Sequence, residues 1–280
     1  MHKITVENLR QFRNFLICEE KAEATIEKYM RDIGTLAEWL CDRELTKENV
    51  LEYKQYLIAE YSPASVNSMI SSINSYFSYF ELHELRIKTL KIQQSIFADS
   101  ERELSKDEYK RLVAAAMQKN NERLSLVMQT ICATGIRVSE LRFITVESLK
   151  RGRASIKCKG KIRTVFITEE LCELLGKYIK EKKIKSGSVF VSKGGKPLNR
   201  SNIWSDMKKL CESAGVKRSK VFPHNLRHLF ARTYYSVHKD IVRLADILGH
   251  SSVNTTRIYT METGEVHQQN IKLLGLVMRC

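Results

Sequence analysis

Six side chains in this 280-residue chain are of types suited to phosphate chemistry: Arg137, Lys159, His224, Arg227, His250 and Tyr259. A phosphodiester is a poor electrophile because its anionic oxygens repel nucleophiles. Two guanidiniums on the non-bridging oxygens offset that charge and stabilise a crowded transition state. Arg137 and Arg227 have the permanent charge and bidentate geometry for this task. His224 stands three residues before Arg227, so a helical start to that segment puts both on one face. Lys159 falls at the tip of an expected hairpin, from which an ammonium can reach a bound phosphodiester and protonate a departing oxygen. Tyrosine is a weak nucleophile with an ordinary pKa near 10. Tyr259 therefore needs positive neighbours or a base, which His250 or His224 could supply.

These residues need elements to place them. Residues 5–18 read as a helix with Thr5 as N-cap and Val6, Leu9, Phe12 and Leu16 on one face. A second helix runs from about Ala24 to Cys41, Thr46 caps a third through Leu57, and Ser62-Pro63 opens a fourth through Phe80. Four amphipathic helices with short connections make a small bundle. The apolar period fades over 86–103, which predicts a helical domain at 1–92, a linker at 93–103 and a second domain at 104–280.

In that second part Leu104-Ser105 starts a helix with Asp107 and Glu108 in its first turn, where the helix dipole favours anions. A buried helix over 124–133 ends at Thr134-Gly135, with glycine as its stop. Alternation of Ala154, Ile156 and Cys158, then Val165 and Ile167, predicts a β-hairpin across Lys159-Gly160-Lys161. A helix at 168–182, a short strand at 188–191 and helices near 200–213, 225–237, 240–248 and 252–260 follow. The expected class is mainly α, with a small β-sheet or hairpin inside a mixed, mostly helical second domain.

Charge narrows the field of partners. Residues 1–98 hold 12 basic and 14 acidic side chains, whereas 99–280 hold 35 and 18, so the chain's +15 comes from its second part. Within 150–220 the count is 20 basic against 6 acidic. So lopsided a field suits a polyanion, although charge speaks to association and not to fold. Apolar residues at 43% and only 3 prolines exclude a disordered chain. No apolar run approaches the roughly 18 residues of a membrane span, and the N-terminus has no signal-peptide core. The seven cysteines (18, 41, 132, 158, 172, 211 and 280) show no Cys-x-x-Cys pair, so free thiols are expected rather than a zinc site or disulfide framework. A cytoplasmic protein with no membrane partner follows.

Taken singly, each residue has a plainer reading: a solvated arginine, a capping or core histidine, a packed tyrosine, and Glu140 merely pairing Arg137. His228 fits no required role and reads as structural. Their joint occurrence in order, inside extended motifs, is what removes the plain reading.

The motifs are Thr134-Gly135-Ile136-Arg137-Val138-Ser139-Glu140-Leu141, His224-Asn225-Leu226-Arg227-His228, and Leu248-Gly249-His250 running on to Tyr259. Together they resemble the tyrosine recombinase (phage-type integrase) family in its two-domain, Xer-like form, over essentially the whole chain. The resemblance is weaker in the N-terminal half, at Thr25-Ile26-Glu27-Lys28-Tyr29 and the Ser62-Pro63 helix. It implies a SAM-like four-helix core-binding domain that clamps DNA, followed by a catalytic integrase domain. It makes Arg137 and Arg227 the two catalytic arginines, His224 and His250 the two histidines, Lys159 the hairpin lysine and Tyr259 the nucleophile. Glu140 becomes the acidic residue behind the first arginine. The family's hairpin reads Gly-Lys-Gly, one residue, Lys, one residue, Arg. Here Cys158-Lys159-Gly160-Lys161-Ile162-Arg163 is one residue shorter, so Lys161 stays an alternative to Lys159.

The implied activity is site-specific strand cleavage and rejoining through a 3′-phosphotyrosine, without cofactor, metal or ATP. The implied partners are double-stranded DNA carrying a recombination site, a homo-tetramer on two duplexes, and accessory factors. Integration, excision, inversion and dimer resolution all remain open as programmes. The family's C-terminal helix docks on a neighbouring protomer, which Val266, Ile271, Leu274 and Val277 would do here, against the alternative of folding back in cis. The chain also lacks an arm-binding domain before its first helix, as in small mobile-element or Xer-type members. Three other readings compete: a DNA-binding protein without catalysis, a type IB topoisomerase and a basic scaffold. Formation of a covalent DNA adduct separates the first and third from the family reading, and site-defined strand exchange separates the second.

Overall fold

A computed structural model of the chain describes residues 3–41, 43–92, 101–158, 161–192, 194–260, 268 and 271–274. The chain divides into two compact units, Met1–Gln94 and Ser95–Cys280. Most of the expected linker, residues 93–100, lies outside the described residues, as do Lys159 and most of the C-terminal tail.

The first unit is a bundle of α1 (Val6–Cys18), α2 (Glu23–Leu40), α3 (Lys47–Glu60) and α4 (Pro63–Tyr79). Local chemistry sets the starts. Thr5 and Thr46 accept from the backbone N–H of Asn8 and Asn49, and Ser62 caps α4 ahead of Pro63. Phe12, Ile33, Leu36, Tyr53, Leu57, Ile70 and Phe77 fill the core with no exposed surface. One charge enters it: Asp32 is buried and takes Lys28 Nζ at 2.5 Å and the Ser72 hydroxyl at 2.7 Å. Asn67 and Asn74, two turns apart on α4, each exchange a pair of hydrogen bonds with the backbone of Leu90 and Ile87. They fasten the chain leaving the bundle.

The second unit places α5 (Lys106–Gln118) and α6 (Glu122–Thr134) side by side, with α7 (Val146–Lys150) leading into a hairpin. That hairpin is β1 (Arg153–Cys158) and β2 (Lys161–Phe166), antiparallel, with Ile156 opposite Arg163 and Ala154 opposite Val165. Next come α8 (Glu169–Glu181), α9 (Arg200–Lys208), α10 (Cys211–Ala214), α11 (Pro223–His238) and α12 (Ile241–Leu248). The main core runs from Leu112 and Ile131 through Ile156 and Val165 to Leu226. A satellite cluster of Ala231, Leu244, Leu248 and Tyr259 lies between α11, α12 and the turns after them.

Three expectations change. Residues 188–191 form single bridges, Thr145 to Ser188 and Val191 to Pro197, instead of a strand. Their apolar run reflects burial of the adjacent Val189 and Phe190. The expected helix at 200–213 is two helices, α9 and α10. The expected helix at 252–260 is a pair of 3₁₀ turns, Val253–Thr255 and Arg257–Tyr259, the first capped by the Ser252 hydroxyl. Of the tail, Ile271 and Leu274 are exposed, while Val266 and Val277 lie outside the described residues.

Gly135 decides where the chain goes after α6. Its φ of +65° ends the helix, and an added Cβ would stand 2.4 Å from the Phe230 ring on α11. Gly135→Ala therefore combines left-handed strain, about 1–2 kcal/mol, with a clash. We expect a lower urea midpoint for this unit, followed by Trp204 fluorescence in a Trp39→Phe background; an unchanged midpoint would contradict the packing described.

Candidate functional site

The site is built around a buried arginine. Pro223 starts α11, and one turn later Arg227 points inward with 1% of its surface exposed. Its Nη1 donates to the Gly135 carbonyl at 2.7 Å and its Nη2 to the Leu248 carbonyl at 2.8 Å. These carbonyls close α6 and α12, helix ends whose C=O groups lack intrahelical partners and carry the negative end of the dipole. Nη2 also donates to His250 Nε2 at 3.0 Å. Burial, then the charge of Arg137, still lowers the Arg227 pKa to about 10.

That contact fixes the histidine. An arginine only donates, so His250 Nε2 is the acceptor and Nδ1 carries the proton. Nδ1 then donates to the Thr256 hydroxyl at 2.9 Å, in a residue wholly buried between the two 3₁₀ turns. Burial, with Arg227 and Arg137 adding to it, pushes the His250 pKa down to about 4. The ring is neutral in this arrangement. Tyr259 is 4% exposed, its ring nearly parallel to His250 at 6.3 Å and edge-on to His228 at 5.0 Å. Burial raises its phenol pKa, opposed by the charges of Arg227 and Arg137.

On the other side of Arg227 opens a cavity of about 150 Å³, lined by Arg137, Ser139, Arg200, His224 and Arg227 among others. Among the described residues no carboxylate lines it, and its three arginines suit an anion. The second residue of α11, His224, meets His228 edge-on at 4.6 Å. The surrounding protein and then Arg227, Arg137 and Arg200 hold its imidazole pKa below the ordinary value. Arg137 caps a 3₁₀ turn at Val138–Phe143. Its backbone N–H donates to Glu140 Oε2 at 2.7 Å and its Nη1 to Oε1 at 3.2 Å. Glu140 is buried, and Arg163 grips it with Nη1 to Oε1 at 3.0 Å and Nη2 to Oε2 at 2.7 Å. Burial raises the Glu140 pKa, but Arg163 and Arg137 outweigh it and hold the carboxyl below its usual range.

The structure thus gathers Arg137, His224 and Arg227 at one cavity, with His250 and Tyr259 behind Arg227 and Glu140 behind Arg137. Lys159 lies outside the described residues, and of Lys161 only the backbone, in β2, is described. The sequence assigned no role to Arg163, seen only as part of the hairpin motif, or to Arg200; His228, read as structural, has its ring between His224 and Tyr259. A charge in the inward register of β2, two before Val165, was the legible sign for Arg163; Arg200 carried none.

His228 is another imidazole buried neutral, its pKa pushed down to about 4 by burial and then by His224. Folded pKa values below the unfolded 6.5 mean that the unfolded chain binds more protons, so stability falls as pH drops from 6.5 towards 4. In urea melts read at Trp204, His228→Phe is expected to show a shallower loss over that window; an identical slope would contradict the neutral buried ring.

Residues 102–265 match the Phage integrase family, more than half of the chain. Tyrosine recombinase XerD of Vibrio cholerae serotype O1 is 28% identical over 259 residues, covering 85% of this chain and 86% of its own. Tyrosine recombinase XerA of Pyrococcus furiosus is 28% identical over 281 residues, covering 97% and 95%. The solved structure of a lambda integrase tetramer bound to a Holliday junction superposes with a TM-score of 0.72 at 19% identity, covering 92% of this chain and 77% of that one. Motifs, fold and matched length agree: the chain belongs to the phage integrase family.

Proposed function

We propose that Tyr259 is the nucleophile of this site-specific DNA recombinase, with the scissile phosphate seated in the cavity beside Arg227. The observation that carries the reading is that cavity: three arginines and a histidine on its wall, no carboxylate among its lining residues, and Arg227 linking it to the tyrosine cluster. Arg137 and Arg227 take the non-bridging oxygens, where fixed guanidiniums stabilise the charge that builds in the transition state. His224 donates to the same oxygens.

In the forward step the Tyr259 oxygen bonds to phosphorus and the bond to the 5′-oxygen breaks. The phenolic proton passes to a nearby imidazole, His224, or His250 once its Nε2 is released from Arg227, and a hairpin lysine, Lys159 or Lys161, protonates the departing 5′-oxygen. The 5′-hydroxyl of a partner strand then attacks the phosphotyrosine and frees Tyr259. One phosphodiester replaces another of similar energy, so neither ATP nor a metal is required. Tyr259 is buried, and the charges of Arg227 and Arg137 favour its phenolate as the proton leaves.

Strand exchange between two duplexes needs four protomers. A homo-tetramer on DNA is accordingly proposed, in line with the lambda integrase tetramer on its junction. Residues 1–92 form the DNA-clamping core-binding domain and 104–280 the catalytic domain. The exposed Ile271 and Leu274 suit docking of the tail on a neighbouring protomer. Action on DNA and the free thiols of the described cysteines suit a cytoplasmic setting. No helix among the described residues is long and apolar enough to cross a membrane.

The test uses a nicked suicide duplex taken from the DNA flanking the protein's own gene. Wild type is expected to give a slow, SDS-resistant adduct, and Tyr259→Phe none. Adduct formed by Tyr259→Phe would overturn the assignment. Adduct formation is also expected to persist in EDTA; strict dependence on added Mg²⁺ would refute the metal-free step.

A further inference from the structure

Strand alternation places Arg163 on the buried face of the hairpin, opposite Ile156 and two residues before Val165. Its side chain is only 14% exposed. It does not line the phosphate cavity, yet it makes a two-pronged contact with the carboxylate that Arg137 also uses. Glu140 receives both Arg163 Nη atoms, at 3.0 and 2.7 Å, and the Arg137 backbone N–H at 2.7 Å. Against this, the Arg137 guanidinium has a single contact with Glu140, at 3.2 Å, and its side chain remains about a third exposed. The Arg163 stem also fills the space beside Gly249: a Cβ there would stand 2.9 Å from its Cδ and Nη1. Gly249 immediately precedes His250. One arginine therefore touches the carboxylate behind Arg137, the turn carrying His250, and the hairpin that carries it.

We infer that Arg163 is a positioning residue: by occupying Glu140 with a bidentate contact, it keeps the Arg137 guanidinium free for the phosphate. A buried carboxylate needs compensation by positive charge. With Arg163 in place, the planar fork matches both oxygens, and Arg137 only caps the arrangement. Without it, the remaining cation beside Glu140 among the described residues is Arg137, and the carboxylate competes with the phosphate for that guanidinium. Lysine at position 163 keeps the charge but offers a point donor instead of a fork, and cannot hold both oxygens. Glutamine at position 140 keeps an acceptor for the Arg137 backbone N–H but carries no charge to compete.

This inference rests on the function proposed above, and the wild-type lane separates the two. Single-turnover adduct formation on the suicide duplex and half-site binding by gel shift are measured for full-length wild type, Arg163→Ala, Arg163→Lys, Glu140→Gln and Arg163→Ala/Glu140→Gln. No adduct from wild type overturns the functional reading itself. The expected result is an adduct rate reduced about tenfold or more by Arg163→Ala, with binding changed by less than about twofold. The double variant is expected to recover part of the lost rate, a coupling that loss of folding would not produce. Wild-type rates in Arg163→Ala, or a double variant no faster than Arg163→Ala, would overturn the inference. Should Arg163→Ala fail to fold, Arg163→Lys carries the same comparison, with wild-type rate as the contradicting outcome.

Discussion

A guanidinium buried with no carboxylate in contact with it is the constraint that the catalytic unit is organised around. A charge taken out of water costs several kcal/mol unless close, well-aligned partners replace its hydration. Arg227 finds them at two helix ends and one imidazole, through the carbonyls of Gly135 and Leu248 and through His250 Nε2. This requirement reaches far along the chain. Arg227 meets α6 where Gly135 ends that helix with its carbonyl facing the guanidinium, and α12 where Gly249 ends it just past the Leu248 carbonyl. It also sets the tautomer of His250, and through Nδ1 the position of Thr256 between the turns that lead to Tyr259. The compensation is partial, as the Arg227 pKa lowered to about 10 shows. The phosphate proposed for the adjoining cavity would complete it.

Around that centre the charges are sorted. Among the described residues Glu140 is the one carboxylate in contact with Arg137 and Arg163; it does not line the cavity and is held by Arg163 and by the Arg137 backbone. The described cavity wall holds arginines, a histidine and neutral groups. Burial raises the Tyr259 phenol pKa and lowers those of His228 and His250, which keeps all three uncharged. The chain's charge follows the same division, near neutral over 1–98 and strongly basic over 99–280.

Much of this was legible because it depends on local rules. Thr5, Thr46, Ser62-Pro63 and Ser105 each mark a helix start by a side-chain oxygen facing a free N–H, and each stands where expected. Gly135 and Gly249 end helices for the reason glycine usually does. The hairpin showed in its alternation. What escaped depends on distant partners. Val189 and Phe190 look like a strand because they are buried, but lack a neighbouring strand to make a ladder. The 252–260 segment has helical spacing yet breaks into 3₁₀ turns, with Thr256 bonded to His250 at its centre. The strand register hinted that Arg163 faces inward, but its partners Glu140 and Gly249 are distant in sequence and show only in the fold. His228 was read as structural, but ring contacts leave no spacing signature, so its place between His224 and Tyr259 was not legible.

If Tyr259 is the nucleophile, the DNA ends up on it and on no other of the chain's 11 tyrosines. The most direct measurement is to digest the covalent complex formed by the full-length wild-type protein and sequence the nucleotide-bearing peptide by mass spectrometry. The account predicts a nucleotide on Tyr259 in the peptide that follows Arg257. A nucleotide on Tyr234, Tyr235 or any other residue would contradict it.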